Sequence, residues 1–588
     1  MGRSYDTFGG GEREFETRTS DDHGASSDEQ YDRRRGPGMS EEDADGEGGL
    51  LLTPPPAAAR VRPPDPPRGG GGPAPPPLGL WALAVLVFYN VSGGPFGIEP
   101  AVRAGGNLYA ILGFVAGPLV WSVPEALVTA ELGSAFPDAS GGVAWVEEAF
   151  GDTAACLAGL LSWVGGATDN AVYPALFLDY AASVVGGAGG GLVGWTRFLT
   201  LSAVTVALAL LNYAGLEIVG RSSIVLCVVA MTPFVVFTFA GLPMVVPSRW
   251  LQTPGGPEDD GDPPLFDDDF QTSSGPLPLP SLGGVLWRPY LNNLFWNLNS
   301  FDSVASFAGE TACFESTYPK GIFIGLVMTI AFYLVPLMVA VGATDYSQEE
   351  WVDGFLGRVA VDVGGRWLAA WVIFASGISN LGLFEAELSA DSFQLMGMAE
   401  RGFLPKVFGK RSRHGTPSVG ILFSTCFIVV FCTADFESLL QLLNSVYSIA
   451  LLLEYAAFVK LRLCRKDLPR PYRIPIPDWA ASLLVLPPVM GILVILAISS
   501  WYVYMFIIGS VVVGVGLFKL TEDCKRREWL EFEIVDRHLV YDMAQMNEVS
   551  TAECPVSPRD TGGGNGMADR LSLRECAYNI QDEVKSMA

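Results

Sequence analysis

Residues 80–99 read LWALAVLVFYNVSGGPFGIE, and the fold is decided by how this stretch stops being a helix. From Leu80 to Val91 every side chain except Asn90 is apolar or aromatic, a run suited to a helix in an apolar medium. Ser92, Gly93, Gly94, Pro95 and Gly97 then break the hydrogen-bond ladder, and the chain resumes at Ile98 and Glu99. Residues 292–310, NNLFWNLNSFDSVASFAGE, carry a second flaw, where Asn297, Asn299, Ser300, Asp302 and Ser303 interrupt an apolar span. Open backbone at membrane depth is tolerated only where it lines a cavity.

Outward from the first break, apolar stretches recur to about Leu520, each near the roughly 20 residues a bilayer crossing needs. Twelve are expected: 79–104, 107–133, 150–183, 193–212, 218–246, 287–312, 321–343, 365–392, 416–433, 437–460, 480–499 and 502–520. The two flawed stretches are the first and sixth. They are corresponding members of two five-helix halves, and matched interruptions there point to a binding site between inverted repeats. The expected class is an all-α integral membrane protein.

Composition agrees. The 588 residues are 49% hydrophobic and 17% charged, with a mean hydropathy of +0.32. Soluble domains carry about 25% charged residues. The net charge of −26 sits mostly outside the apolar stretches. Residues 1–50 hold 14 acids and 6 bases, 250–280 hold 7 acids and no base, and 521–588 hold 14 acids and 8 bases. No basic stripe suggests nucleic acid. The domains expected are a disordered cytosolic tail at 1–77, a transporter domain at 78–520 and a cytosolic tail at 521–588. The loop at 250–280 is either a disordered insertion or an acidic collector of cations.

Nine cysteines, an odd number without a CxxC pair, are expected to be free thiols rather than disulfides or a metal site. No metal or cofactor is expected. Without a Walker loop, HExxH or nucleophile elbow, neither an ATP-driven pump nor an intramembrane enzyme is supported.

Loop charge sets the expected orientation. The loop after the eighth span carries Arg401, Lys406, Lys410, Arg411 and Arg413, and the loop after the tenth carries Arg462, Arg465, Lys466, Arg470 and Arg473. Both face the cytosol if the N-terminus does, so both termini are expected there. The plasma membrane is the expected home, since the C-terminus shows no retention signal.

An ionisable group in a span costs roughly 3 kcal/mol on insertion scales, so it usually marks function. Glu99, Glu125, Glu131, Asp169, Asp179, Asp302, Glu310, Glu385, Glu387, Asp391 and Glu454 lie in or near spans, while bases there are nearly absent. The acids need a positive charge from outside, as a cationic substrate supplies, or protons. Asp169 has Tyr173 at i+4, on the same helix face. Asp302 follows Phe301, with Trp296 earlier on the same helix. A carboxylate beside an aromatic face suits an ammonium group, the cation–π part being worth about 0.5–2 kcal/mol. Asp169, Asp302 and Glu99 are the candidates for the substrate path. Glu385, Glu387 and Asp391 are candidates for proton coupling. Glu125, Glu131 and Asp179 read as end-of-helix or interhelical residues.

SGGPFGIE, FPDASGGVAWVEEAFG, TDNAVYPALFLDY and NNLFWNLNSFDSVASFAGE resemble segments of the plant polyamine transporters of the amino acid–polyamine–organocation superfamily. So do the stretch from ISNLGLFEAELSADSF to GTPSVGIL and the segment RPYRIPIPDW. The resemblance spans roughly 78–520. It implies a twelve-helix, five-plus-five inverted repeat of the leucine-transporter type with broken helices 1 and 6, and proton-coupled polyamine import. Carried over, Gly93, Gly94 and Gly97 with Trp296, Phe301 and Asp302 form the central site. The chain departs from the family at Phe301, where Trp is common, and along FESLLQLLNSVYSIALLLEY. Spermidine, spermine or putrescine is the expected cargo, with protons and membrane lipid as partners. A neutral or cationic amino acid transporter and a non-transporting membrane sensor or scaffold are the alternatives.

Overall fold

The computed structural model describes residues 78–178, 194–254, 284–352, 354–434 and 436–533. The expected tails, the acidic insertion from 255 onward and Asp179 lie outside the described residues.

The Leu80–Val91 run forms a helix, α1, and stops where the glycines and proline begin. Residues 92–98 are non-helical, and α2 (Glu99–Gly117) restarts with Pro100 in its first turn, where a missing N–H costs nothing. Gly106, at φ 68°, kinks α2. A π-helical turn at Pro118–Ser122 passes into α3 (Val123–Ala135), then follow α4 (Gly142–Phe150), α5 (Asp152–Asn170), α6 (Gly194–Tyr213) and α7 (Leu216–Gly241). The second flawed stretch is also interrupted. α8 (Trp287–Leu298) gives way at 299–301, and a 3₁₀ segment, Asp302–Glu310, continues the chain. Then come α9 (Phe314–Ala343), α10 (Leu356–Gly364), α11 (Arg366–Glu400), α12 (Ser418–Phe431), α13 (Phe436–Cys464), α14 (Asp478–Leu484), α15 (Leu486–Ala497) and α16 (Trp501–Arg526). Among the described residues there is no strand, only two isolated bridges.

Among the described residues eight stretches are long and apolar enough to cross a bilayer, and α1 and α12 are shorter apolar helices. The outer helices leave large apolar side chains uncovered, among them Leu199 and Leu210 on α6, Val225 and Phe239 on α7, and Met505 and Val512 on α16. Water would penalise such a surface, whereas hydrocarbon does not. The centre is built from α1, α5, α8, α11 and α13, with Phe88, Phe295, Phe384 and Phe458 fully buried. Within it α5 packs along α13, α7 along α11 and α1 along α9.

Both basic loops pack at one end of the bundle. Arg401 pairs with Asp138 at 2.5 Å and Glu147 at 2.6 Å. Burial pushes its guanidinium down, but these two carboxylates outweigh that and hold it above its ordinary range. Arg411 pairs with Glu310 at 2.7 Å, and Arg465 with Glu148. Arg462, only 1% exposed, bonds Glu131, Asp478 at 2.9 Å, and the carbonyls of Ile474 and Ile476. Arg470 also reaches Glu131, at 3.1 Å. Glu131 is therefore an interhelical residue with a full set of cationic partners.

The expectation of free thiols needs one correction. Cys156, Cys227, Cys426, Cys432, Cys464 and Cys524 are free, but Cys313 is disulfide-bonded.

Candidate functional site

Two helix breaks meeting at the centre leave polar backbone in need of partners, and the surrounding side chains supply them. Asn293 and Asn297 of α8 both donate to the Gly97 carbonyl, at 2.8 and 3.0 Å. Ser379 of α11 donates to the Gly93 carbonyl. The Gly94 N–H donates to Ser92 Oγ at 3.0 Å, and the Gly97 N–H to Glu99 Oε2 at 3.0 Å. Asparagines on one break thus hold the other.

Two adjoining cavities lie at this junction and share Asn90, Asp169, Trp296, Ser300 and Glu387 in their walls. The first also takes in Gly93, Phe96, Gly97, Tyr173, Tyr333 and Asn380, and the second Asn299, Asp391, Gln394, Asn444 and Tyr447. Trp296 Nε1 donates to Asp169 Oδ1 at 3.0 Å. The Tyr173 hydroxyl donates to Glu387 Oε1 at 2.5 Å, and Asn170 Nδ2 to Asp391 Oδ2 at 3.3 Å. Asp391 lies directly over Gly166 of α5, where any side chain would collide with its carboxyl. Three carboxylates therefore face one space, backed by aromatic rings, and among the described residues no Lys, Arg or His lines either cavity.

Of the sequence-predicted site residues, Gly93, Gly97, Asp169, Tyr173 and Trp296 come together here, joined by Glu387 and Asp391. Five others do not line the cavities. Gly94, at φ 96°, faces Met231 of α7. Glu99 is fully buried and accepts from Gly97 N–H and, at 3.5 Å, from Leu356 N–H, so it braces the break. Ser300 takes a left-handed backbone, φ 77°, and faces the cavities, while Phe301 after it packs in the core. Asp302 bonds the hydroxyl of Tyr447, and its own N–H donates to Glu125 Oε1 at 3.3 Å. Glu385 lies two residues from Glu387, about 200° around the helix. It turns to α6, where Asn212 Nδ2 reaches its Oε2 at 2.7 Å. Phe96, rather than Phe301, supplies the further aromatic wall, set edge-on to Phe234 with centroids 4.8 Å apart.

Sequence reasoning passed over Asn90, Tyr333, Asn380, Asn444 and Tyr447. Asn90 alone carried a signal, as the one polar side chain in Leu80–Val91. The others sit on helices whose facing is set by packing.

Asp169, Glu387, Asp391, Glu385, Glu125, Asp302 and Glu454 are all buried, and none lies within ion-pair distance of a Lys, Arg or His among the described residues. Glu131, with its two arginines, is the contrast.

Residues 78–518 match the amino acid permease family model. A protein named polyamine transporter RMV1, from Arabidopsis thaliana, is 40% identical over 450 residues, covering 76% of this chain and 86% of the relative. One named polyamine transporter PUT1, from Oryza sativa subsp. japonica, is 40% identical over 452 residues, covering 77% and 80%. A branched-chain amino acid permease, BcaP of Lactococcus lactis subsp. cremoris, is 25% identical over 372 residues, covering 60% and 74%. With its apolar spans, its broken helices and these relatives, the chain belongs to the amino acid permease family as a multi-pass membrane protein of the group that includes the plant polyamine transporters.

Proposed function

We propose that the protein imports polyamines across a membrane by alternating access, coupled to protons. The observation that carries this is the trio Asp169, Glu387 and Asp391 around one cavity, with no Lys, Arg or His beside them among the described residues. Buried carboxylates without counter-charge are costly, and an organic cation offsets that cost when it enters. A polyamine presents two or more ammonium groups on a methylene chain. Its charges suit the carboxylates, and its chain suits Trp296, Tyr173 and Phe96. The names of the plant relatives agree.

An amino acid is the second reading, favoured by the family and by BcaP. Its carboxylate would seek the backbone N–H groups at the first break. Here the Gly97 N–H already serves the Glu99 carboxylate and the Gly94 N–H serves Ser92. The protein's own side chains occupy those donors, which favours a substrate lacking a carboxylate. The sensor or scaffold reading has no such observation behind it.

In this reading the chain crosses the membrane twelve times, as a five-plus-five inverted repeat. The long Glu99–Ala135 stretch, kinked at Gly106, holds the end of the first span and all of the second. Helix pairing supports the repeat. α5 along α13 is the third span on the tenth, and α11 along α7 is the eighth on the fifth, which is the same pairing in the other half. The transporter domain at 78–520, cytosolic tails and a plasma-membrane location belong to the same proposal.

Labelled spermidine uptake into polyamine-transport-deficient cells, with and without a proton uncoupler, tests it. Saturable, uncoupler-sensitive uptake is expected. Uptake of leucine or arginine without spermidine would replace it with the amino acid reading.

A further inference from the structure

A second carboxylate cluster lies outside the cavity walls. Glu125 comes from α3, Asp302 from the second break and Glu454 from α13. Each is at most 4% exposed. The Tyr447 hydroxyl, on the cavity wall, reaches Asp302 Oδ1 and, at 3.2 Å, Glu125 Oε1. One hydroxyl carries one proton, so it can donate to only one of these oxygens. The contact with the other is attractive only when a carboxyl is itself protonated. Glu454 lies against Gly142, and the neighbouring Gly141 packs on Ala305 and Ser306 of the 3₁₀ segment that Asp302 opens. The other titratable groups facing the cluster are Tyr318 of α9 and Tyr455 of α13, both neutral donors. No Lys, Arg or His pairs with any of the three carboxyls among the described residues.

An independent observation points to a ligand. Glu125 Oε2, Glu454 Oε2 and the hydroxyls of Tyr318 and Tyr455 are buried without a hydrogen-bond partner. Acceptors and donors left unmet around three carboxylates call for a proton, and neither of the two substrate cavities reaches Glu125, Glu454, Tyr318 or Tyr455. Position argues the same way. On α13 the order is Tyr447, Glu454, Arg462, and on α3 it is Glu125, Glu131. The cluster thus lies between the substrate cavity and the Arg462–Glu131 pairs beside the basic loops. Glu454 also presses on Gly142, at the start of α4, where a Cβ would strike its carboxyl.

We propose that Glu125, Asp302 and Glu454 form the proton-binding site that couples transport. A proton enters from the substrate side, is shared among the three carboxyls, and leaves toward the end where Glu131 pairs with Arg462. Tyr447 links the site to the cavity by exchanging its hydrogen bond between Asp302 and Glu125. Proton loss leaves like charges in contact, which drives Glu454 off Gly142 and loosens that end. This rests on the coupled-transport reading and moves the coupling site from Glu385, Glu387 and Asp391 to this cluster.

The test uses full-length protein in liposomes with the membrane potential clamped. Two readouts are taken: spermidine accumulation under an inward pH step, and spermidine exchange without one. Each coupled proton supports about tenfold accumulation per pH unit. Wild type is expected to show this gain. Glu125→Gln and Glu454→Gln are expected to lose it while exchange falls by no more than about threefold, since substrate contacts are kept. Gly142→Ala, which keeps every carboxyl, is expected to weaken the pH response as well. Retention of the wild-type pH response in both Gln variants overturns the proposal. So does loss of exchange together with spermidine binding, which would make the cluster part of the substrate site or the fold. A wild type that exchanges no spermidine defeats the substrate reading alone. The same variants are then read with whichever amino acid does exchange, and an unchanged pH response there overturns the proton site too.

Discussion

Asp169 is held by the indole N–H of Trp296 and, like Glu387, sits in both cavity walls, so it is placed to meet an ammonium group beside an aromatic face. Truncating one partner of a buried charge pair costs about 2–5 kcal/mol. Asp169→Asn is therefore expected to weaken spermidine binding by at least about thirtyfold. Scintillation-proximity binding on purified protein reads this, and affinity within a few-fold of wild type would remove Asp169 from the site. Glu385→Gln should behave differently. Its carboxyl faces Asn212 rather than the cavity, and Gln keeps an acceptor for that bond. Binding within about twofold of wild type is expected, because the substitution keeps the bond to Asn212 and alters no cavity wall. The i, i+4 spacing of Glu387 and Asp391, and the offset of Glu385, were legible in the sequence. Which of the two faces met the cavity was not.

Among the elements, the two breaks matter most. Gly97 sits at φ 78°, a conformation that costs other residues about 1–2 kcal/mol. A Cβ there would also stand 2.8 Å from the Trp296 ring. Gly97→Ala is expected to move that ring off Asp169 and abolish uptake at normal surface expression. Uptake near wild-type level would mean that the break tolerates a side chain and that its close approach to α8 is not needed. The sequence alone announced both breaks, since the Gly-Gly-Pro cluster at the first and the Asn-Ser-Phe-Asp run at the second disfavour a continuous apolar helix and leave polar groups to be met. What fills those bare groups came from elsewhere in the chain. Asn293 and Asn297 answer the Gly97 carbonyl, and the Glu99 carboxylate answers the Gly97 N–H.

At the scale of the molecule, the bundle is charged at one end, and among the described residues no Lys, Arg or His lines the two central cavities. The Glu131–Arg462–Asp478 cluster joins α3, α13 and α14. Breaking a buried pair from one side costs up to about 3–5 kcal/mol where the partner is left unpaired, and here Arg470 keeps Glu131 partly paired. Arg462→Leu should lower the melting temperature in detergent by several degrees, and Glu131→Gln added to it should restore part of the loss. A drop no larger than that of a surface arginine variant would show that the pair is dispensable. Orientation has its own measurement. Tags at either terminus are expected to be protease-accessible only after the cell membrane is opened, and access from outside intact cells would reverse the topology.

The sequence by itself determined the class, the recurrence of apolar stretches of spanning length, the two interruptions and the excess of acid over base. These follow from local chemistry: apolar run length, residues that break a ladder, and the cost of charge in hydrocarbon. Tertiary structure decided which carboxylates share a space. Asp169 on α5 meets Glu387 and Asp391 on α11, and Asp302 turns from the cavity toward Glu125 and Tyr447. Helix rotation, set by packing across the whole bundle, fixes which way each side chain faces, and no short stretch of sequence contains that information.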